Sequence, residues 1–190
     1  MVCLDNAGAF QWGQTLGSTG ADYGKGITFK NNKIVLTGTY NGSLAWGTTT
    51  LSWLGNDDIF LAQYDIAGNK EWIKGFYGVS ADAVWGIKSD VMGNIYLIGG
   101  ALNRLWLGNQ VISNAGQNAF VAKFDPTGDC IWAKSYFGGN IYSTGLSVTI
   151  INGFTKLCVS GYFQGTNVQF GHTKLTSNNT NMFLATLTEN

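Results

Sequence analysis

An internal repeat constrains the fold of this 190-residue chain more than any other feature of its sequence. Residues 60–72 return as residues 120–132 with the pattern Phe-x-Ala-x-aromatic-Asp-x-x-Gly-x-x-x-Trp, and the second half of this pattern also covers residues 4–12. Its aspartates and its tryptophans each recur at intervals of 60 residues, at Asp5, Asp65, Asp125, Trp12, Trp72 and Trp132. We therefore treat residues 1–190 as one segment of three repeats: 5–64, 65–124 and 125–190.

Each repeat predicts four short β-strands and no helix, so the expected fold class is all-β. The third strand, residues 59–64 in the first repeat, is apolar on both faces. An antiparallel sheet that is open to water on one face alternates apolar and polar residues, so this strand must be covered on both sides. Radial stacking of small four-stranded sheets, as in a β-propeller, provides that cover. A β-solenoid or an irregular sandwich is the alternative. The segments before the third strand are expected to be polar loops.

Composition argues against two kinds of partner. The chain has 11 basic and 11 acidic side chains, and only 12% of its residues are charged. Nucleic-acid binding requires a basic face, and no apolar run approaches the roughly 20 residues of a membrane span. We therefore expect neither a nucleic-acid partner nor a membrane span. The cysteines are odd in number and occupy different positions of the repeat, which predicts buried small apolar residues without disulfides: Cys3, Cys130 and Cys158.

With these motifs the chain resembles the bacterial beta-propeller repeat family over nearly its whole length. The resemblance implies propeller blades in a secreted or cell-surface bacterial protein, often one exported by the type IX system of Bacteroidota, and it implies no particular ligand. The third repeat departs from the pattern. Asp22 and Asp82 have no counterpart near residues 141–142, and no Asp-x-x-Gly turn follows Leu187.

Three blades cannot close a ring, which needs at least four. The first strands of the chain complement the last ones, so two copies joined head to tail would form six blades. Alternatively, the remaining blades belong to a longer chain or to another polypeptide. Residues 1–4 lack the pattern of a signal peptide, but the Asn-, Gly-, Thr- and Ser-rich polar positions favour an extracellular or cell-surface location.

The repeated residues are expected to be structural. Trp12, Trp72 and Trp132 occur in every repeat, which favours packing between blades. In the Asp-x-x-Gly turns the Asp side chain is expected to accept backbone N–H groups, and Gly to supply a positive φ. One carboxylate per turn is too few for calcium, so no metal site is predicted. These turns are Asp5 with Gly8, Asp65 with Gly68, and Asp125 with Gly128.

Residues that the repeat does not require are the candidates for binding. Trp85 aligns with Lys25 and Thr144, whereas Trp106 aligns with Ala45 and Gln169. Exposed aromatic rings beside a guanidinium suit a sugar ring or a protein hot spot, although such rings also fill local gaps in a fold. The candidate set is Trp53, Trp85, Trp106, Arg104, Tyr142 and Asp57.

The sequence favours a non-enzymatic scaffold that binds a protein partner, either its own second copy or another chain. A carbohydrate-binding lectin that uses the non-repeated tryptophans is the alternative. An enzyme is not expected, because the acidic residues show no converging pair of carboxylates outside the repeated positions, and no catalytic Ser or Cys accompanies the lone His172 in a recognisable setting. No cofactor is predicted.

Overall fold

The computed structural model describes residues 1–189, apart from the side chains of residues 114 and 115. The described chain is all-β, with 72% of residues in strands and none in a helix. Consequently no helix within these residues is long and apolar enough to cross a membrane. The strands are β1 (Val2–Leu4), β2 (Phe10–Gly13), β3 (Tyr23–Lys30), β4 (Lys33–Tyr40), β5 (Leu44–Trp46), β6 (Thr49–Leu51), β7 (Asp58–Asp65), β8 (Lys70–Gly78), β9 (Asp82–Ser89), β10 (Ile95–Leu107), β11 (Gln110–Phe124), β12 (Cys130–Tyr136), β13 (Asn140–Ile151), β14 (Phe154–Phe170) and β15 (Thr173–Glu189).

The largest sheet is a curled half-barrel. Its order is β12-β11-β10-β8-β7-β4-β3, and β9 pairs with β10. This sheet consists of two antiparallel groups, β3-β4-β7-β8 and β9-β10-β11-β12. A short contact between β10 and β8 joins the groups, where Leu105 pairs with Gly78 and Trp106 pairs with Tyr77. The remaining sheets are β13-β14-β15 and the hairpins β1-β2 and β5-β6.

The pairing register recurs along the chain. On β7, β11 and β15 the alanine of the Phe-x-Ala motif faces the second strand of its own group. The pairs are Leu36 with Ala62, Leu97 with Ala122, and Val159 with Ala185. The same local sequence therefore forms the same antiparallel contact in each group.

The strand groups pack around three apolar cores. One core lies between the first and second groups, one lies between the second and third groups, and one lies on the other face of the first group. The first core contains Ile59 and Leu61 of β7, the second contains Val121 of β11, and the third contains Phe60 and Ala62 of β7. Alternate residues of β7 therefore enter different cores, since successive side chains of a strand point to opposite faces. This arrangement explains why the third strand of the repeat is apolar throughout.

In the second and third repeats the segments expected to be polar loops form strands instead, whereas residues 52–57 of the first repeat remain a loop. In the second and third groups β10 and β14 continue to a tight turn, and the chain returns directly as β11 and β15. The turns have glycine in the left-handed region, with φ of +64° at Gly47, +64° at Gly108 and +59° at Gly171. A glycine that reverses the chain in two residues lets the flanking segments pair with each other.

Candidate functional site

The repeated aspartates close tight turns. The Asp65 carboxylate accepts the N–H groups of Ala67 at 2.9 Å and Asn69 at 2.8 Å, and Gly68 has a φ of +83°. The hydrogen bonds from the side chain and backbone of Asn69 hold the pKa of Asp65 below its usual value. Asp5 and Asp125 accept backbone N–H groups in the same way. These carboxylates are occupied by the turn itself.

A fourth Asp-x-x-Gly turn, closed by Asp90, was not predicted from the sequence. Asp90 accepts the N–H groups of Met92 and Asn94, both at 2.9 Å, between β9 and β10. The residues Asp-Val-Met-Gly at 90–93 match the Asp-x-x-Gly pattern. They could have been recognised from it, had the pattern been sought outside the 60-residue spacing.

Two of the repeated tryptophans, Trp12 and Trp72, contact the Asp-x-x-Gly turn of the following repeat. An added Cβ on Gly68 would lie 2.9 Å from the ring of Trp12, and one on Gly128 would lie 2.7 Å from the ring of Trp72. The Trp12 indole N–H donates to the carbonyl of Ile66 at 3.2 Å. Each ring therefore packs on a backbone surface that only glycine leaves open.

Trp132 has a different partner, because no such turn follows it in the described chain. Its indole N–H donates to Glu189 Oε1 at 2.5 Å. Lys123 Nζ and the Tyr96 hydroxyl lie 2.7 Å and 3.1 Å from Oε2 of the same carboxylate. Glu189 thus anchors the end of β15 to the second group of strands.

Two of the candidate tryptophans meet in a surface cleft, here called the aromatic cleft. It has a volume of about 380 Å³ and is lined by Ser52, Trp53, Leu54, Tyr77 and Trp106. Trp106 is positioned by its pairing with Tyr77 across the β10–β8 contact. The cleft therefore exists only because the two groups of strands are joined at that point.

Arg104 contacts Trp106, one of the residues that line the aromatic cleft. Its guanidinium carbon is 5.5 Å from the centre of the Trp106 ring, the geometry of a cation–π contact. Trp53 is 46% exposed, and its indole N–H donates to the Gly55 carbonyl at 3.2 Å. The site thus offers two aromatic surfaces and one delocalised cation to solvent.

The other candidates lie elsewhere. The rings of Trp85 and Tyr142 are 5.5 Å apart, and Tyr142 stacks on Tyr162 at 5.0 Å. Trp85 also covers Gly100, where an added Cβ would lie 2.5 Å from its ring, and it packs against the second core. Trp85 and Tyr142 therefore fill space between strand groups, away from the aromatic cleft.

Asp57 connects neighbouring segments through hydrogen bonds. Its carboxylate accepts the side-chain N–H of Asn41 at 3.2 Å, and its carbonyl accepts the backbone N–H of Asp82 at 2.8 Å. Asp57 does not line the aromatic cleft.

Two buried aspartates that the sequence analysis did not bring together converge beside Gly78. The Asp58 carboxylate accepts the N–H groups of Leu54 at 2.6 Å and Gly78 at 3.0 Å. The Asp82 carboxylate occupies the space of a Gly78 side chain, so a Cβ there would collide with it. Asp58 is 0% exposed and Asp82 is 1% exposed. Both carboxylates stand at positions of the repeat, and burial keeps this pair out of reach of a dissolved substrate.

Burial and proximity change the ionisation of the pair. Burial, followed by the charge of Asp58, raises the pKa of Asp82 to about 8. Neither carboxylate oxygen of Asp82 makes a hydrogen bond of good geometry with the described residues, although the Leu102 backbone lowers the pKa slightly. Burial also raises the pKa of Asp58 to about 6, against the effect of the Leu54 and Gly78 amides. Asp82 is therefore protonated at neutral pH, whereas Asp58 is mostly ionised and holds the loop that carries Leu54.

The three cysteines are free thiols, and they are half-buried rather than fully buried as expected. Burial raises the pKa of the Cys130 thiol to about 12. Within residues 1–189, no three His, Cys, Asp or Glu side chains lie close enough together to hold a metal ion.

Comparison with known proteins does not extend these observations. No protein-family model matches the chain, and no curated protein matches it.

Proposed function

We propose that this chain is an arc of a β-propeller and serves as a non-enzymatic interaction module that binds a protein partner. The observation that supports the propeller is the recurrence of one antiparallel unit with one register. The units β3-β4-β7-β8 and β9-β10-β11-β12 are followed by β13-β14-β15, with an apolar core between successive units. A stack of small four-stranded sheets separated by apolar cores is the arrangement of propeller blades.

The contacts between units support the same proposal. Trp12 and Trp72 each cross to the Asp-x-x-Gly turn of the next repeat, at Gly68 and Gly128. A residue that links each unit to the next by the same contact gives successive units a constant relative orientation. The resemblance of the repeat to the bacterial propeller family suggests a secreted or cell-surface location for such a module.

The aromatic cleft is the proposed contact for the partner. Large aromatic rings and arginine are the residues that most often dominate protein interfaces. Trp53 and Trp106 line the cleft, and Arg104 contacts Trp106. Partner binding is therefore expected to bury the exposed face of Trp53.

Site-specific photo-crosslinking tests this role. A photoreactive residue replaces Leu54, which is 49% exposed in the cleft, or Ile66, which is 54% exposed in the turn between β7 and β8. With a bacterial cell-surface extract, we expect a discrete protein adduct at position 54 that Trp106→Ala removes, and none at position 66. Absence of an adduct at 54, or the same adducts at both positions, would contradict the proposal.

A carbohydrate ligand is the second candidate, favoured by the same pair of rings. A pyranose stacks its C–H face on indole, and the Arg104 guanidinium can donate to sugar hydroxyls. A glycan array followed by fluorescence titration tests this candidate. Trp53→Ala and Trp106→Ala are each expected to reduce affinity about tenfold or more, whereas Ile66→Ala leaves it unchanged. An array without signal above background rules out this second candidate.

A further inference from the structure

We infer that a second copy of this chain docks head to tail on the first, with the sheet β13-β14-β15 of one copy against β3 and β4 of the other. This inference rests on the proposed propeller arc and names one partner for it. The C-terminal face is defined by Met182 and Leu184 on β15, and the N-terminal face by Ile27 and Phe29 on β3.

The C-terminal face is apolar and uncovered. Met182 is 89% exposed and Leu184 is 74% exposed, the two highest values among the large hydrophobic side chains of the described chain. Met182 pairs with Tyr162 and Leu184 with Ser160. Residues at the same register positions on β7 and β11 are all 0% exposed: Ile59, Leu61, Ala119 and Val121. Both positions are therefore fully buried in the first and second units, each of which packs against the next unit of the described chain.

The side chains that cover the equivalent positions of β7 indicate which surface can cover the C-terminal face. Ile59 and Leu61 lie in the first core with Ile87, Ile95 and Leu97 of the next unit. In the first unit the register counterparts of these three covering residues are Ile27, Ile34 and Leu36. Ile27 is 56% exposed, and the adjacent Phe29 is 60% exposed. The chain thus carries both halves of an interface that it already uses internally.

The exposed edge of β15 supports the same partner. Within residues 1–189, β15 pairs only with β14, whereas β7 and β11 pair on both edges. Residues 175–188 carry no charged side chain, although exposed strand edges are usually protected by charge. An uncharged edge beside an apolar face is expected to be covered by another strand.

The strand β2 of the second copy fits that edge. On β7 and β11 the edge partner is the strand of the repeated tryptophan, with Gln63 opposite Trp72 and Lys123 opposite Trp132. The counterpart pair is Thr186 of one copy with Trp12 of the other. In the isolated chain Trp12 pairs instead with Cys3 of the three-residue strand β1. In the docked form, β2 of the second copy pairs with β15 of the first copy instead of with its own β1. The partner of β2 is then a longer strand.

Such an interface joins two different surfaces, so each copy uses one face on each neighbour. Heterologous contacts of this kind give a ring when the rotation closes and an open filament when it does not. Two copies contain six repeats, and we expect them to close into a dimer of about twice 20.5 kDa.

Light scattering across a range of concentrations tests the interface with matched variants. One variant carries Met182→Asp and Leu184→Asp, and the other carries Ile27→Asp and Phe29→Asp. The control is Met92→Asp, because Met92 is 69% exposed but lies in the β9–β10 turn outside both faces. Circular dichroism verifies that each variant is folded.

We expect the wild type and the control to have the dimer mass and each double variant to have the monomer mass near 20.5 kDa. Mixing the two double variants is expected to restore a complex, because each retains the face that the other lacks. A wild type that stays monomeric, a variant that still assembles, or a mixture that stays monomeric would overturn the inference. The aromatic cleft is intact in all of these proteins, so cross-linking from position 54 tests the proposed function independently.

Discussion

Replacing Asp82 with Asn tests the buried carboxylate pair through the pH dependence of folding. The ordinary pKa of the Asp82 carboxyl is 3.8, and burial together with Asp58 raises it to about 8 in the folded chain. Between these values the folded state keeps a proton that the unfolded state releases. The stability conferred by this group is therefore fully present below about pH 4, falls as pH rises, and is lost above about pH 8.

The magnitude follows from the size of the pKa change. Each pKa unit corresponds to about 1.4 kcal/mol, so wild-type stability is expected to fall by roughly 4 kcal/mol between pH 4 and pH 7 because of Asp82 alone. Asparagine has nearly the same shape and does not titrate. Asp82→Asn is therefore expected to be more stable than the wild type at pH 7, and its advantage should decrease as the pH is lowered. Asp58, with a pKa of about 6, adds a slope of the same sign in both proteins.

Urea denaturation monitored by tryptophan fluorescence at pH 5, 6, 7 and 8 measures this difference. The control is Asp22→Asn, the counterpart in the first repeat. The Asp22 carboxylate accepts hydrogen bonds from Ser18 N at 2.5 Å and Ser18 Oγ at 2.7 Å. Its replacement should destabilise the protein at pH 7 by about 1–3 kcal/mol. The reasoning would be refuted if the free-energy difference between Asp82→Asn and the wild type were constant across this pH range.

Two further predictions concern contacts between the repeats. Gly128→Ala places a Cβ 2.7 Å from Trp72 at a φ of +83°, whereas Gly8→Ala has a φ of +81° and nothing within 4 Å. The strained φ costs about 1–2 kcal/mol in both, so calorimetry should show a larger loss for Gly128→Ala, and equal losses would exclude a role for the Trp contact. Glu189→Gln weakens a half-buried ion pair and should cost about 1–3 kcal/mol. Asp129→Asn removes the charge of an exposed ion pair and should cost less than about 1 kcal/mol in the same urea titration. Similar losses of stability for the two variants would contradict the stronger contribution expected from the Lys123–Glu189 pair.

The sequence predicted one set of candidate binding residues, and only some of them lie together in the structure. Trp53 and Trp106 stood out because the other repeats have different residues at their positions, and Arg104 stood out as the only arginine, two residues before Trp106. The structure places both tryptophans in one cleft and Arg104 against Trp106. Trp85 and Tyr142 stood out for the same reason but pack against each other between strand groups. Absence from the repeat marks a residue as unusual, but it does not indicate whether that residue faces solvent or a neighbouring sheet.

The sequence by itself determined the all-β class, the recurring strands and the tight turns of this protein. These features depend on local chemistry: alternation along a strand, an Asp side chain that accepts nearby N–H groups, and glycine at a positive φ. The tertiary structure alone decided that Trp106 lies beside Tyr77 and that Asp58 meets Asp82. Those contacts join different strand groups, and their geometry depends on how the groups pack, which no local pattern of residues specifies.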